Sequence, residues 1–109
     1  MTETFRRVQT LVLAGDVHVS DHGFEELRKD DILVDDVIDG IAAAIVVEEY
    51  PRRFRGPSIL TLQHDADNRP LHVVWALPAE QRRPVVLITA YRPDPKRWGN
   101  NFKQRKDDD

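Results

Sequence analysis

The stretch Pro70–Pro93, PLHVVWALPAEQRRPVVLITAYRP, constrains the fold of this chain more than any other. Two β-branched and apolar runs, Leu71–Leu77 and Val85–Tyr91, flank the short polar connector Pro78–Pro84. Runs rich in Val, Ile, Leu, Thr, Trp and Tyr on either side of such a connector predict an antiparallel β-hairpin. Both faces of each run are largely apolar, so at least part of the hairpin is expected to be central and covered. Its unusual polar groups are His72 in the first run and Thr89 and Tyr91 in the second. Thr89 and Tyr91 share a face by strand alternation. The face of His72 depends on register. Direct pairing across the odd-length connector sets His72 on the sheet face away from that of Tyr91, and a one-residue bulge or shift brings the two onto one face.

Upstream, the spacing is helical. Phe5, Val8, Leu11 and Val12 fall on one face of a first helix, and Gly15 is its stop signal. Val17–Val19 is a short extended piece. Ser20 then stands as an N-cap, with Asp21 in the first turn, for a second helix over Asp21–Lys29 that is expected to bury Phe24 and Leu27. A third helix over Asp35–Ala43 places Val34, Val37, Ile38, Ile41 and Ala42 at i, i+3, i+4, i+7 and i+8. Its start is poorly capped by Val34, and Gly40 weakens its interior by roughly 1 kcal/mol relative to Ala. Past Ala43 the period becomes extended. Ile45–Tyr50 and Ser58–Gln63 read as strands, separated by the arginine-rich connector Pro51–Pro57. Asp65, Asp67 and Asn68 form the turn into the hairpin. Lys96–Lys106 reads as one or two helical turns anchored by Trp98 and Phe102, and Asp107–Asp109 as a frayed end. Three helices followed by four strands predict an α+β fold, the helices packed on one face of a four-stranded antiparallel sheet.

Length and composition bound the function. At 109 residues the chain is expected to be one domain, 1–109, with one core and a charged tail over 103–109. The absence of cysteine excludes disulfides, thiolate catalysis and cysteine-based metal sites. No apolar run approaches the roughly 20 residues that span a membrane. Met1–Thr10 has no signal-peptide core, so a cytoplasmic protein with no membrane partner is expected. The net charge of −3 conceals an asymmetry. Residues 1–49 hold 12 acids and 4 bases, net −8, whereas residues 50–109 hold 7 acids and 12 bases, net +5. A polyanion can therefore meet a basic half despite the acidic total; the alternative is solvated charge around a small domain.

Several short motifs occur in a recognisable order. They are Ser20-Asp21-His22 at a helix start, ILVDDV at Ile32–Val37 and IVVEEYP at Ile45–Pro51, then PLHVV at Pro70–Val74 and TAYRPDP at Thr89–Pro95 with Trp98 beyond. In these the chain resembles the small bacterial family known as domain of unknown function 4258, from about Gln9 to Phe102. Val34 departs from the family pattern, where a capping Thr or similar is usual. The resemblance implies a layout similar to the RelE and barnase-like group of ribonucleases and toxins, an analogy at the level of fold.

Metal-independent RNA cleavage needs a base for the 2′-OH, an acid for the leaving oxygen and donors for the phosphoryl charge. His22, in the first turn of the second helix, is the leading acid/base candidate, on the strength mainly of the resemblance; the alternative is a helix-start histidine with a local hydrogen bond. His72 and Tyr91 are further catalytic candidates, each set against the reading of a packed core residue. Arg28 lies six residues after His22, roughly on the same side of its helix. With Thr89, Arg92 and Arg97 it makes up the substrate-binding candidates, and Arg52, Arg53, Arg55 and Arg69 lie in other sheet-edge loops. Trp98 is either a base-stacking platform or an anchoring core aromatic. His18 and His22 are split by Ser20, and His22 with Glu26 supplies only two ligands, so neither metal nor cofactor is expected. Two functions from different classes follow. One is a toxin-type domain, either an RNA-binding module or a metal-independent endoribonuclease. The other is a non-catalytic module that docks a protein, such as an antitoxin-like partner presenting an acidic segment.

Overall fold

The computed structural model of the chain describes residues 2–51, 56–79 and 82–106. Helix α1 spans Glu3–Leu13, capped by the Thr2 hydroxyl, which accepts from the Phe5 amide at 3.2 Å. It buries Phe5, Val8, Leu11 and Val12, the stripe its spacing predicts. Strand β1 (Val17–Val19) leads into helix α2 (Asp21–Lys29). Helix α3 (Val34–Asp39) has no side-chain cap at Leu33 and tightens into a 3₁₀ turn at Gly40–Ala43. The remaining strands are β2 (Ile45–Tyr50), β3 (Ser58–His64), β4 (Pro70–Ala76), β5 (Val85–Tyr91), β6 (Trp98–Gly99) and β7 (Gln104–Arg105). Arg52, Arg53, Arg55 and Asp107–Asp109 lie outside the described residues.

The fold is α+β, but the expected four-stranded antiparallel sheet is corrected. The sheet has five strands in the order β1-β5-β4-β3-β2 and is mixed, because Val17–Val19 pairs in parallel with Val85–Leu87. A three-residue strand whose partner lies some seventy residues downstream leaves no turn signal, because parallel strands are joined by crossovers and not by hairpins. The segment expected to carry one or two last helical turns is also different. Trp98 and Gly99 pair antiparallel with Arg105 and Gln104 in a two-stranded ribbon. Asn100, Asn101 and Phe102 between them have φ of 52°, 55° and 68°. Consecutive left-handed residues cannot continue a right-handed helix.

Two bulges set which side chains share a face. Between β4 and β5 the register runs His72↔Tyr91, Val73↔Ala90, Val74↔Thr89 and then Trp75↔Leu87, so Ile88 is the extra residue. Between β2 and β3 the extra residue is Val47. Strand alternation then puts Ile59, Thr61, Gln63, Leu71, Val73, Trp75, Leu87 and Ala90 on one face. That face packs against α1, α2 and α3 to form the core. The other face, here the outer face, carries Glu48, Tyr50, Leu60, Leu62, His72, Val74, Thr89 and Tyr91.

Trp75 is fully buried at the centre of the core. Its indole N–H lies 3.0 Å from Gln63 Oε1 and 3.2 Å from Thr61 Oγ1, and the Gln63 amide donates to the Val37 carbonyl at 2.7 Å. A polar network in the interior is thereby fully satisfied, as burial in a low dielectric requires. Helix α2 docks closely on β5. The Ser20 amide donates to Leu87 O at 3.1 Å, and its hydroxyl donates to the bulge carbonyl of Ile88 at 3.1 Å while accepting from the Gly23 amide at 2.9 Å. Gly23 faces the sheet, and a Cβ there would stand 2.8 Å from Leu87 O. Because the inward position is taken by a glycine, Phe24 points outward and is 49% exposed, contrary to the burial expected of it.

Candidate functional site

The Ile88 bulge decides the register question raised by the hairpin: His72 sits directly opposite Tyr91, on the outer face. His72 is wholly buried. Its Nε2 lies 2.7 Å from the carbonyl of Phe102 and its Nδ1 3.2 Å from the Tyr91 hydroxyl. A carbonyl only accepts, so Nε2 bears the proton. In the neutral ring Nδ1 then accepts from the Tyr91 O–H. Burial lowers the pKa of His72, against the opposing effects of the Phe102 carbonyl and Glu48, and burial raises that of Tyr91. The Trp98 ring meets His72 edge-on, centroids 4.4 Å apart.

The β6–β7 ribbon is what covers His72, and a clasp holds it down. Arg105 of β7 donates to Glu48 of β2 through Nε at 2.7 Å and Nη2 at 3.1 Å, a two-pronged geometry that fits a carboxylate well. The Tyr50 hydroxyl donates to the same carboxylate. The guanidinium also lies 4.8 Å above the Trp98 ring centre. Arg105 holds the Glu48 carboxyl below its ordinary range, and burial raises Tyr50.

Beside this covered histidine opens a groove of about 650 Å³. Tyr91 and Trp98 line it together with Arg92, Arg97, Arg105 and Lys106, and Asp94 is the one acid. The four cations are not equivalent. Arg105 is committed to Glu48. Arg92 Nη1 lies 3.0 Å from Oδ2 of the buried Asp65, while its backbone amide donates to Asp30 Oδ2 at 3.0 Å. Arg97 and Lys106 make no ion pair among the described residues. They are the cations left to meet a ligand.

The sequence-predicted residues divide accordingly. His72 and Tyr91 are in contact, Arg92 and Arg97 line the groove beside them, and Thr89 lies one alternation along the same face. His22 does not join them. It is an exposed residue of α2, 3.6 Å from Glu26, and α2 packs on the helix-covered face, so the sheet stands between His22 and the groove. Arg28 is exposed on the same helix, lining a shallow depression with Glu25 and Lys29. Trp98 is buried, one ring face lies under Arg105 and His72 meets it edge-on, which is the anchoring role of the two weighed for it.

A family model described as "Domain of unknown function (DUF4258)" matches residues 19–92. The chain belongs to that family. Nothing among the curated proteins or the solved structures matches it. The DUF4258 segment includes His22, His72, Thr89, Tyr91 and Arg92, and it ends before the rest of the groove. Asp94, Arg97, Trp98, Arg105 and Lys106 lie beyond it, so the groove is lined partly by the family segment and partly by the residues that follow it.

Sequence reasoning missed Arg105, Lys106 and Glu48. The two cations lay in a segment read as helix and charged tail. The signal that could have found them is Gly99-Asn100-Asn101, since Gly and Asn tolerate left-handed backbone and mark a tight turn between two short strands. Among the described residues no group of three or more His, Asp or Glu side chains is placed to hold a metal ion. No described helix is long and apolar enough to cross a membrane.

Proposed function

We propose that this DUF4258 chain is a toxin-type domain that binds single-stranded RNA along the groove between β5 and the β6–β7 ribbon. One observation carries the reading. Arg97 and Lys106, with no ion pair among the described residues, converge on one groove beside the buried His72–Tyr91 pair. Two cations with no ion pair among the described residues, in a groove that Tyr91 also lines, suit phosphates and the sugar between them. Arg92 and Arg105 add positive potential, and their own partners hold them in place at the groove wall.

Cleavage, in this reading, is a narrower matter than binding. Both ring nitrogens of His72 are engaged inside the protein, so the group that can touch a substrate is the Tyr91 hydroxyl. His22, on the other layer, has no part in it.

The test is affinity against salt. Single-stranded RNA should bind with a log–log slope near −0.7 for each phosphate neutralised. Replacing Arg97 and Lys106 together by Ala should shallow the slope by about one to two units, whereas Arg28→Ala should leave it unchanged. No binding at low salt would end the RNA reading and leave the groove to an acidic protein segment, as on an antitoxin-like partner.

A further inference from the structure

The groove holds one polar group whose hydrogen-bonding direction the protein itself fixes. Phe102 has φ of 68°, and its carbonyl lies 2.7 Å from His72 Nε2. A bulky residue is costly in that region, so the bond to His72 and the packing of the ribbon must hold it there. The consequence runs along the ring. With its proton on Nε2, His72 offers Nδ1 as an acceptor, and the Tyr91 hydroxyl is the donor within reach at 3.2 Å. A phenol has one proton, and it points inward. Toward the groove, the Tyr91 oxygen can then only accept.

An acceptor in a groove that two phosphate-binding cations also line is selective. A phosphate oxygen is itself an acceptor and gains nothing from it. A ribose 2′-hydroxyl can donate to it, and deoxyribose has no such group. We infer that Tyr91 is the residue by which this groove distinguishes RNA from DNA, accepting a hydrogen bond from a 2′-hydroxyl while Arg97 and Lys106 hold the flanking phosphates. His72 acts through Tyr91, by committing its proton. The inference rests on the reading of the groove as a nucleic-acid site. It adds the sugar to which that site is fitted and the atom that reads it.

Steric shape alone does not give this selectivity. A deoxyribose lacks only the 2′-hydroxyl oxygen, so a DNA strand is no bulkier than an RNA strand, and both carry the same phosphate charge. The difference lies in one hydrogen bond, which sets its size: an intramolecular or ligand bond of this kind contributes a factor of roughly 3 to 10 in affinity.

The experiment compares three single strands of one sequence, made with 2′-hydroxyl, 2′-deoxy and 2′-O-methyl sugars, at one salt concentration on the full chain. The 2′-hydroxyl strand should bind roughly 3- to 10-fold more tightly than the other two, which should match each other because neither can donate. Tyr91→Phe should bring the RNA-to-DNA affinity ratio down to about one. His72→Phe keeps an aromatic ring but removes the acceptor, so the Tyr91 proton is freed; it should reduce the RNA-to-DNA ratio in the same way. The comparison of sugars on the unaltered protein stands even if a variant does not fold. Equal binding of all three strands overturns this inference and leaves the groove as a phosphate site. So does a Tyr91→Phe variant that weakens RNA and DNA alike. Failure of every strand to bind at low salt overturns both this inference and the RNA reading beneath it.

Discussion

Removing the Asp65 carboxylate should destabilise the protein severely, and the structure sets the size of the loss. Asp65 is 8% exposed. Its Oδ1 accepts from the amides of Asp67 and Arg69, both at 2.9 Å, and its Oδ2 takes Arg92 Nη1 at 3.0 Å and Arg69 Nε at 3.4 Å. A hydrogen bond between charged groups is worth about 1.5–3 kcal/mol, and each neutral amide bond about 1 kcal/mol. The two amides can recover part of theirs from water at the turn surface, so Asp65→Ala should cost about 3–4 kcal/mol. That is a large share of the 5–15 kcal/mol a domain usually has. Asp65→Asn keeps the amide bonds and loses the charge, so about half the loss should remain. Urea unfolding at pH 7, with an unchanged denaturant slope, measures both. The carboxyl also carries a pH dependence. Burial pushes its pKa up, but the Arg69 amide, the Arg92 guanidinium and the Asp67 amide outweigh that and hold it below the ordinary 3.8. A depressed folded-state pKa stabilises the protein above the unfolded value, and that contribution fades as pH falls through the folded value. The wild-type chain should therefore lose stability below about pH 4 more steeply than Asp65→Asn. A loss under about 1 kcal/mol for Asp65→Ala would refute the reasoning.

Three further outcomes are expected. Trp75→Ala should cost about 3–5 kcal/mol in the same unfolding assay, since it empties the centre of the core and removes the indole donor that Gln63 and Thr61 accept from; a loss below about 1 kcal/mol would put Trp75 on the surface. Gly23→Ala should destabilise despite alanine's advantage of about 1 kcal/mol in a helix, because its Cβ would meet the Leu87 carbonyl at 2.8 Å and push α2 off β5. A gain in thermal midpoint would show that α2 has room to move. His22→Ala should leave stability within about 0.5 kcal/mol and RNA affinity unchanged, because the ring is exposed on the opposite layer.

Much of this architecture was legible in the sequence, and the misses share a cause. The stripe of α1, the Ser20 cap and the central hairpin follow from periodicity and local hydrogen bonding, and they are present as read. What local signals cannot supply is pairing at a distance. The parallel seat of β1 on β5 and the position of the Ile88 bulge depend on each other, since Ser20, at the end of β1, bonds both Leu87 O and Ile88 O. The bulge in turn sets the face of Tyr91. So the contact between His72 and Tyr91 was one of two outcomes in the sequence and became definite only with α2 docked. Phe24 was misplaced for a related reason: hydrophobic periodicity favours the larger residue as the inward one, whereas a close helix–strand approach needs glycine there. In the last segment, the spacing of Trp98 and Phe102 suggested a helix, and the turn-forming Gly99-Asn100-Asn101 between the two prevailed.

The most direct measurement is a titration of the isotope-labelled chain with a short single-stranded RNA, followed by backbone and indole amide NMR signals. The account predicts that shifts cluster on Tyr91, Arg97, Gly99 and Lys106 and on the Trp98 indole, and weaken as salt rises. Signals of α2 around His22 and Arg28 should stay in place. Shifts confined to α2, or none at low salt, would contradict the placement of the binding groove between β5 and the C-terminal ribbon.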